Sequence, residues 1–404
     1  MAQTLKFGNG TWATKKGSTL AFNDEDGNYK PLPFTTTRAT SATRVNKEGL
    51  IEVVESDRPR IDYTDTSDGV LLLEKAATNL QTYSSDLASV YAPTNITQTS
   101  NYGASPDSSL TSTRVVLANL TDSRSVETLT GTLTNGVVYT FSCYYKGVKG
   151  ESTYMYFLSS TGGVSVSKEI IFTGDWQRES ITFTAGSASN YTYIVDVRQG
   201  ASTATDFEVW GAQVEVGSLS SYIPTQGSAV TRVADTASGS GNSEVFNDSE
   251  GVLMAELSID ANDGNFRFLS ISDGTSTNAI WVYYRSDANQ INFRVIAGGV
   301  SSFDDIYTIN NATENTKLLL KYKENDFSAW VNGFEVLTDN SGITFSGNVL
   351  NELEFSRPDG VNNFYGKTKE IAYYNTVLTD LELETLTSYR SLSELVTELN
   401  LNTL

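Results

Sequence analysis

Histidine is missing from this 404-residue chain, and cysteine occurs once, at Cys143. Without imidazole there is no Ser-His-Asp or Cys-His relay, no HExxH zinc site and no histidine pH switch. A single thiol forms neither an intrachain disulfide nor a CxxC metal knuckle, so cysteine usage does not reveal the redox compartment. Positive charge is also scarce: 28 Lys plus Arg stand against 48 Asp plus Glu, a net charge of −20. Such a field repels phosphate backbones and anionic lipid, which argues against nucleic acid and membrane surfaces as partners. Long hydrophobic runs are lacking too. The longest aliphatic run, Val70–Leu73, is far below the ~20 residues of a spanning helix. The opening MAQTLKFGNG shows no basic-then-apolar signal order. These absences point away from an enzyme.

What is present is the texture of an all-β protein. Thr, Ser, Val, Tyr and Phe dominate, and Gly or Asn/Asp clusters punctuate the chain every ten residues or so. The expected architecture is an extended N-terminal arm, two β-sandwich (jelly-roll) domains and short C-terminal helices. Residues 1–80 carry turn signals, the extending Pro31 and Pro33, and too little apolar content for an independent core, and so read as the arm. Residues 81–235 read as the first sandwich. There VVYTFSCYY over Val137–Tyr145 places Val137, Tyr139, Phe141, Cys143 and Tyr145 on one face, which makes Cys143 a small core residue. The polar Gly-Ser stretch 236–245 reads as a linker. Residues 246–404 read as the second sandwich, with strands from Val252–Asp260 to Lys369–Tyr374 and a hairpin turn at Asn332-Gly333. Thr379 with Glu382 and Ser391 with Glu394 have capping-box spacing ahead of the closing helices.

Three stretches carry a resemblance. The first is Arg38–Asn46 (RATSATRVN), followed by Gly49–Glu52, Pro59–Tyr63, Leu71–Glu74 and Thr78–Leu80. It resembles a module common in tailed-phage structural proteins. The second is Asp206–Glu215 (DFEVWGAQVE) with Ser221–Thr225 and Val230–Asp235, which is similar to the end of the carbohydrate-binding-module-like sandwich that follows that module. The third, Trp330–Gly333 with Gly366–Asn375 leading into Leu378–Asp380, resembles the closing strand and helix of laminin-G-like (concanavalin-like) jelly rolls. The resemblance implies a virion protein: an attachment arm followed by two lectin-like sandwiches. Tail fibre, receptor-binding protein, head fibre and decoration protein all remain open on this ground.

A sugar contact needs aromatic platforms flanked by amide and carboxylate groups, because a pyranose offers an apolar face and a hydroxyl rim. Trp281 and Tyr283 share the strand face opposite Ile280, Val282 and Tyr284, with Arg285 and Asn292 near in sequence. They are the leading ligand-binding candidates, against the alternative that both sheet faces are packed. Trp330, the run Arg357-Pro358-Asp359 and, in the first sandwich, Trp176 and Arg178 are further candidates, whereas Trp210 belongs to the recurring motif and reads as a core plug. Calcium is the one cofactor with candidate ligands: Asp24, Asp26 and Asn28, and Asp260, Asn262 and Asp263. Both sets are oxygen-rich turns that also form without metal. No Glu-x-Asp-x-x-Glu strand of concanavalin-like hydrolases is present, although Glu352-Leu353-Glu354 alternates. The resulting expectation is a non-enzymatic virion adhesion protein that contacts host-surface glycan and other virion proteins. It is expected to be a homo-oligomer, a trimer if it is a fibre. The alternatives are a capsid-decoration or tail-assembly protein, and a glycan hydrolase.

Overall fold

Apolar residues spaced two apart build nearly every element. In the strand Val138–Lys146, Tyr139, Phe141, Cys143 and Tyr145 all enter one core, as the period of a strand requires. The structure, a computed structural model, describes residues 4–19, 31–129, 133–159, 164–187, 189–389 and 391–398. The chain divides into two compact units, the first comprising Met1–Ser41, Val54–Lys75 and Ala234–Leu404, the second Ala42–Val53 and Ala76–Val233.

The second unit is a sandwich of two antiparallel five-stranded sheets. One runs Ala92–Thr94, Arg124–Leu129, Asn190–Asp196, Ser152–Ser159, Ser165–Ile171. The other runs Ile96–Thr99, Thr113–Leu117, Asp206–Val216, Val138–Lys146, Gln177–Thr184. Val115, Phe141, Phe157, Ile194 and Phe207 fill the space between them, each such side chain contributing about 1.5–3 kcal/mol of burial.

The first unit stacks an eight-stranded sheet on a five-stranded one. The larger follows the order Phe334–Asp339, Phe327–Val331, Thr316–Lys323, Glu250–Ile259, Gly366–Tyr374, Val70–Leu73, Arg60–Asp62, and Leu5–Gly8 also pairs with Gly366–Tyr374. The smaller runs Val300–Thr308, Gln290–Ala297, Ala279–Tyr284, Arg267–Ser272, Glu352–Glu354. Leu253, Leu318 and Tyr373 from the one meet Leu269, Val282 and Phe293 from the other in a shared core. Asn332 and Gly333 both take positive φ, +48° and +88°, and close a two-residue hairpin in which Val331 pairs with Phe334. The helix Asp380–Thr387 opens with the Thr379 amide donating to Glu382 Oε2 at 2.9 Å, as the capping spacing predicts, and Leu392–Glu398 follows Ser391. No helix among the described residues is long and apolar enough to cross a membrane.

Residues 1–80, expected as an arm, are distributed between both units. Leu5, Phe7, Ile61, Leu71 and Leu73 enter the core of the first, and Ala77–Asn79 pairs with Val230–Arg232 in the second. Their low apolar content is enough because they cover a core that other segments also fill. The stretch 236–245, expected as a linker, holds the strand Thr236–Ser238, which pairs with Phe34–Thr37, and Val245 is buried.

Candidate functional site

The two large sheets of the first unit differ in what covers their outward faces. On the eight-stranded sheet, Val252, Met254, Leu319, Trp330 and Tyr374 are capped by Leu383 of the helix Asp380–Thr387. Trp330, a sequence candidate for ligand contact, therefore lies beneath a helix, and its indole N–H donates to Ser328 Oγ at 3.2 Å. The outward face of the five-stranded sheet carries a separate cluster: Phe268, Ala279, Trp281, Tyr283 and Ile296, with Phe266 against it.

Strict alternation along Ala279–Tyr284 creates this arrangement. Ile280, Val282 and Tyr284 point into the core and Trp281 and Tyr283 point away from it. Phe268 is the direct cross-strand partner of Tyr283, and their rings stack at 4.2 Å with 5° between planes. Trp281 stands edge-on to Phe268 at 5.5 Å. Cross-strand register then sets a transverse row of five residues, one per strand: Glu354, Ser270, Trp281, Arg294 and Asp304. Arg294 lies over the Trp281 ring at 5.4 Å and its Nε meets Asp304 Oδ2 at 3.2 Å. Beside the row, the Tyr283 hydroxyl donates to Asn292 Oδ1, and the Asn292 amide donates to Asp304 Oδ1 at 3.1 Å.

The row is graded in exposure. Trp281 is 6 % exposed, whereas the side chains of Arg294 and Asp304 are 31 % and 39 % exposed. At the buried end, the Trp281 Nε1–H and Glu354 Oε1 have no hydrogen-bond partner. Ser356 Oγ donates to Glu354 Oε2 at 2.7 Å. Burial pushes the Glu354 carboxyl up to about 7, the Ser356 hydrogen bond opposing it. Burial likewise raises the Tyr283 phenol, which Asp304 reinforces and Arg285 counteracts. The row thus offers an unfilled donor and an unfilled acceptor beside flat aromatic faces, with an ion pair at its wet end.

No protein-family model matches the sequence, and neither does any curated protein. Among solved structures, the chain is similar to the Ruminococcus gnavus IT-sialidase CBM40 bound to α2,3-sialyllactose. That likeness has 18 % identity over 38 % of this chain and 94 % of that one, with a TM-score of 0.32. Domain 4 of AbnA, a GH43 extracellular arabinanase from Geobacillus stearothermophilus, in complex with arabinotriose, is similar at 13 % identity. It covers 43 % of this chain and 82 % of that one, with a TM-score of 0.32. A structure described as a receptor binding domain is similar at 13 % identity over 38 % of this chain and 39 % of that one, with a TM-score of 0.31. Likenesses this distant carry no statement about ligand, and the sandwich architecture rests on the sheets described above.

The remaining sequence candidates serve the scaffold. Trp176 donates its indole N–H to the Ala104 carbonyl at 3.0 Å. Arg178 donates to the Ser220 carbonyl at 2.7 Å and to Ser142 Oγ at 3.0 Å, with its guanidinium over Tyr144. Trp176 and Tyr144 pack against Trp210, which is buried with Tyr222 and Ile51 as the core plug its motif predicts. Arg357 is engaged by its neighbour Asp359 on an exposed turn. Asp260 and Asp263 both face Arg267, whose Nη2 lies 3.0 Å from each carboxylate, and Lys75 Nζ reaches Asp263 at 3.1 Å. A guanidinium thus stands where the calcium reading needs a metal. Asp24, Asp26 and Asn28 lie outside the described residues. Among the described residues, no three acidic or thiol groups gather to hold a metal.

Sequence reasoning missed Phe268 and Arg294, and weighed Glu354 only as part of the alternation Glu352-Leu353-Glu354. The signal for Arg294 is its alternation with the apolar Phe293 and Val295, which fixes its face, but its strand partner is visible only once register is known.

Proposed function

We propose that this protein is a non-catalytic adhesion protein of a tailed-phage virion that contacts host-surface glycan through the outward face of its five-stranded sheet. The observation that carries the glycan reading is the row Glu354–Ser270–Trp281–Arg294–Asp304, in which the Trp281 ring is flanked on both sides by hydrogen-bonding and charged groups. An aromatic ring takes the apolar face of a sugar while neighbouring polar groups take its hydroxyls. The placement in a virion rests on the motif stretches around Arg38–Asn46, Asp206–Glu215 and Gly366–Asn375, and as a fibre the protein would be a homo-oligomer, with a trimer favoured.

The non-catalytic reading rests on the lack of a Glu-x-Asp-x-x-Glu run in the sequence, and spacing rules out only the two ends of the row as a catalytic pair. Glu354 and Asp304 stand four strands apart, roughly 19 Å at ~4.8 Å per strand, well beyond the ~5–9.5 Å between glycosidase carboxylates. Glu352 and Glu354, on one face of a single strand, are roughly 7 Å apart, and they are the pair a hydrolase would use. A second, structural reading, in which this face contacts other virion proteins, draws on Trp281 and Tyr283 being only 6 % exposed, which leaves little ring surface for a sugar to stack on.

A glycan array probed with the full chain separates these readings. Adhesion predicts specific signals that Arg294→Ala and Trp281→Ala abolish, Arg294 being exposed enough to change without disturbing the fold. A silent array, with the protein located inside the assembled particle by averaged electron microscopy, would leave the structural reading standing. Release of reducing ends that Glu352→Gln or Glu354→Gln abolishes would establish the hydrolase. A solution mass of one chain would count against the fibre.

A further inference from the structure

We propose that the cleft of the second unit lined by Leu80, Val90, Ala92 and Glu127 binds a primary alkylammonium group, with Glu127 as its counter-ion. The cleft has a volume of about 410 Å³ and lies within one unit. Glu127 sits on the strand Arg124–Leu129 opposite Thr192, two residues before the core residue Leu129, so that it faces the interior. Its Oε2 is shielded from solvent and has no hydrogen-bond partner.

Behind Glu127 lies Gln81, fully buried. The amide end of Gln81 is committed: Nε2 donates to the Tyr91 hydroxyl at 2.9 Å and reaches Thr192 Oγ1 at 3.4 Å. The Tyr91 hydroxyl and Thr192 Oγ1 are themselves 3.2 Å apart. The carbonyl end of Gln81, Oε1, is buried without a partner. Both unfilled atoms, Gln81 Oε1 and Glu127 Oε2, are therefore acceptors. Leaving such groups unpaired is costly, and most costly for a charged one.

The titratable group facing Glu127 is the Tyr91 phenol, which burial keeps protonated. Among the described residues, no cationic side chain pairs with Glu127. Burial accordingly pushes its carboxyl up to about 7, with the nearby polar groups of Gln81 and Tyr91 working in the opposite direction. A neutral hydroxyl satisfies one acceptor and leaves the charge uncompensated. An ammonium brings several N–H donors and the missing positive charge, and Leu80, Val90 and Ala92 offer apolar wall to the methylenes behind it.

The test is calorimetric titration of the full chain with n-butylammonium chloride in 0.15 M NaCl, with n-butanol as the uncharged control. One saturable site is expected, weakened at least tenfold by Glu127→Gln and unmatched by butanol. A bound ammonium requires the carboxylate form, so affinity should fall about tenfold between pH 8 and pH 6, where Glu127 holds its proton. Ala92→Phe, which fills the cleft from an exposed position, should abolish binding independently of charge. Absence of a saturable site, equal affinity for butanol, or binding that survives both variants would overturn the proposal.

Discussion

Arg38 and Asp235 are 197 residues apart in sequence and meet in a buried ion pair, with Nη1 to Oδ1 at 2.8 Å. Arg60 takes the other oxygen of the same carboxylate and donates to Glu74 Oε2 at 2.6 Å, while the Glu74 amide closes on Asp235 at 2.9 Å. Arg38 uses its remaining donors on the carbonyls of Thr40, Glu55 and Arg58. Burial works against the Arg60 charge, but Asp235 and Glu74 outweigh it and its pKa is raised. Two fully buried guanidinium groups thus depend on one aspartate. Removing one partner from such a cluster leaves uncompensated charge, so Asp235→Asn should cost about 3–5 kcal/mol. Chemical denaturation should show the loss, together with faster amide exchange across Val54–Lys75. Arg114→Ala, which removes the half-exposed pair with Asp206, should cost under about 1 kcal/mol.

The same quartet shows what was legible beforehand. Arg38, Arg60, Glu74 and Asp235 all fall in the motif stretches, yet nothing in their spacing says that they converge. That is a property of long-range topology. Local period was readable: the faces of Val138–Lys146 and Ala279–Tyr284, the Asn332-Gly333 turn and the Thr379 cap all follow from neighbours in sequence. The edge strand Val300–Thr308 was not, because VSSFDDIYT keeps most of its residues in water and lacks a clear alternation. The site divides along the same line. The Trp281/Tyr283 face was predictable, whereas its row partners arrive from four other strands, and the helix over Trp330 comes from 50 residues downstream.

Cys143 is wholly buried among Phe141, Tyr145 and Val209, and burial pushes its thiol up to about 12. The thiolate is the reactive species. Folded protein at pH 8 should therefore leave a disulfide reagent such as dithionitrobenzoate unconsumed over hours. The same protein in denaturant should titrate one thiol per chain. Rapid labelling of the native state would show that the sandwich opens locally at this strand.

Glu127 makes the second unit sensitive to pH in a definite direction. Its carboxyl titrates near 7 in the folded chain against 4.5 ordinarily. The stability it contributes is present in full below about pH 4.5, declines as pH rises through 7, and is flat above. Discounted for the partial exposure of the residue, the difference is about 2 kcal/mol. Glu127→Gln removes the titration. It should raise the second unit's stability by about that amount at pH 8 and change little at pH 4.5. Thermal unfolding of the two proteins at both pH values measures the difference, and a variant effect independent of pH would refute the assignment.

Arg267 holds the turn that an oxygen-rich sequence would lend to calcium. Its guanidinium, almost wholly buried, binds Asp260 and Asp263 at 3.0 Å and lies over the Tyr365 ring. Against the effect of burial, Arg267 and Lys75 hold the Asp263 carboxyl below its ordinary range; at Asp260 burial prevails and the carboxyl is raised. Calcium would have to displace a resident cation that already satisfies these oxygens. Millimolar calcium should therefore leave the unfolding midpoint of the first unit unchanged. Arg267→Ala leaves two adjacent carboxylates facing only Lys75, with part of their charge still reached by water, and should cost about 2–3 kcal/mol. If that loss is recovered by adding calcium to the variant and not to the parent protein, the arginine is established as the ion's substitute. Recovery in both would place a metal at Asp260 and Asp263 after all.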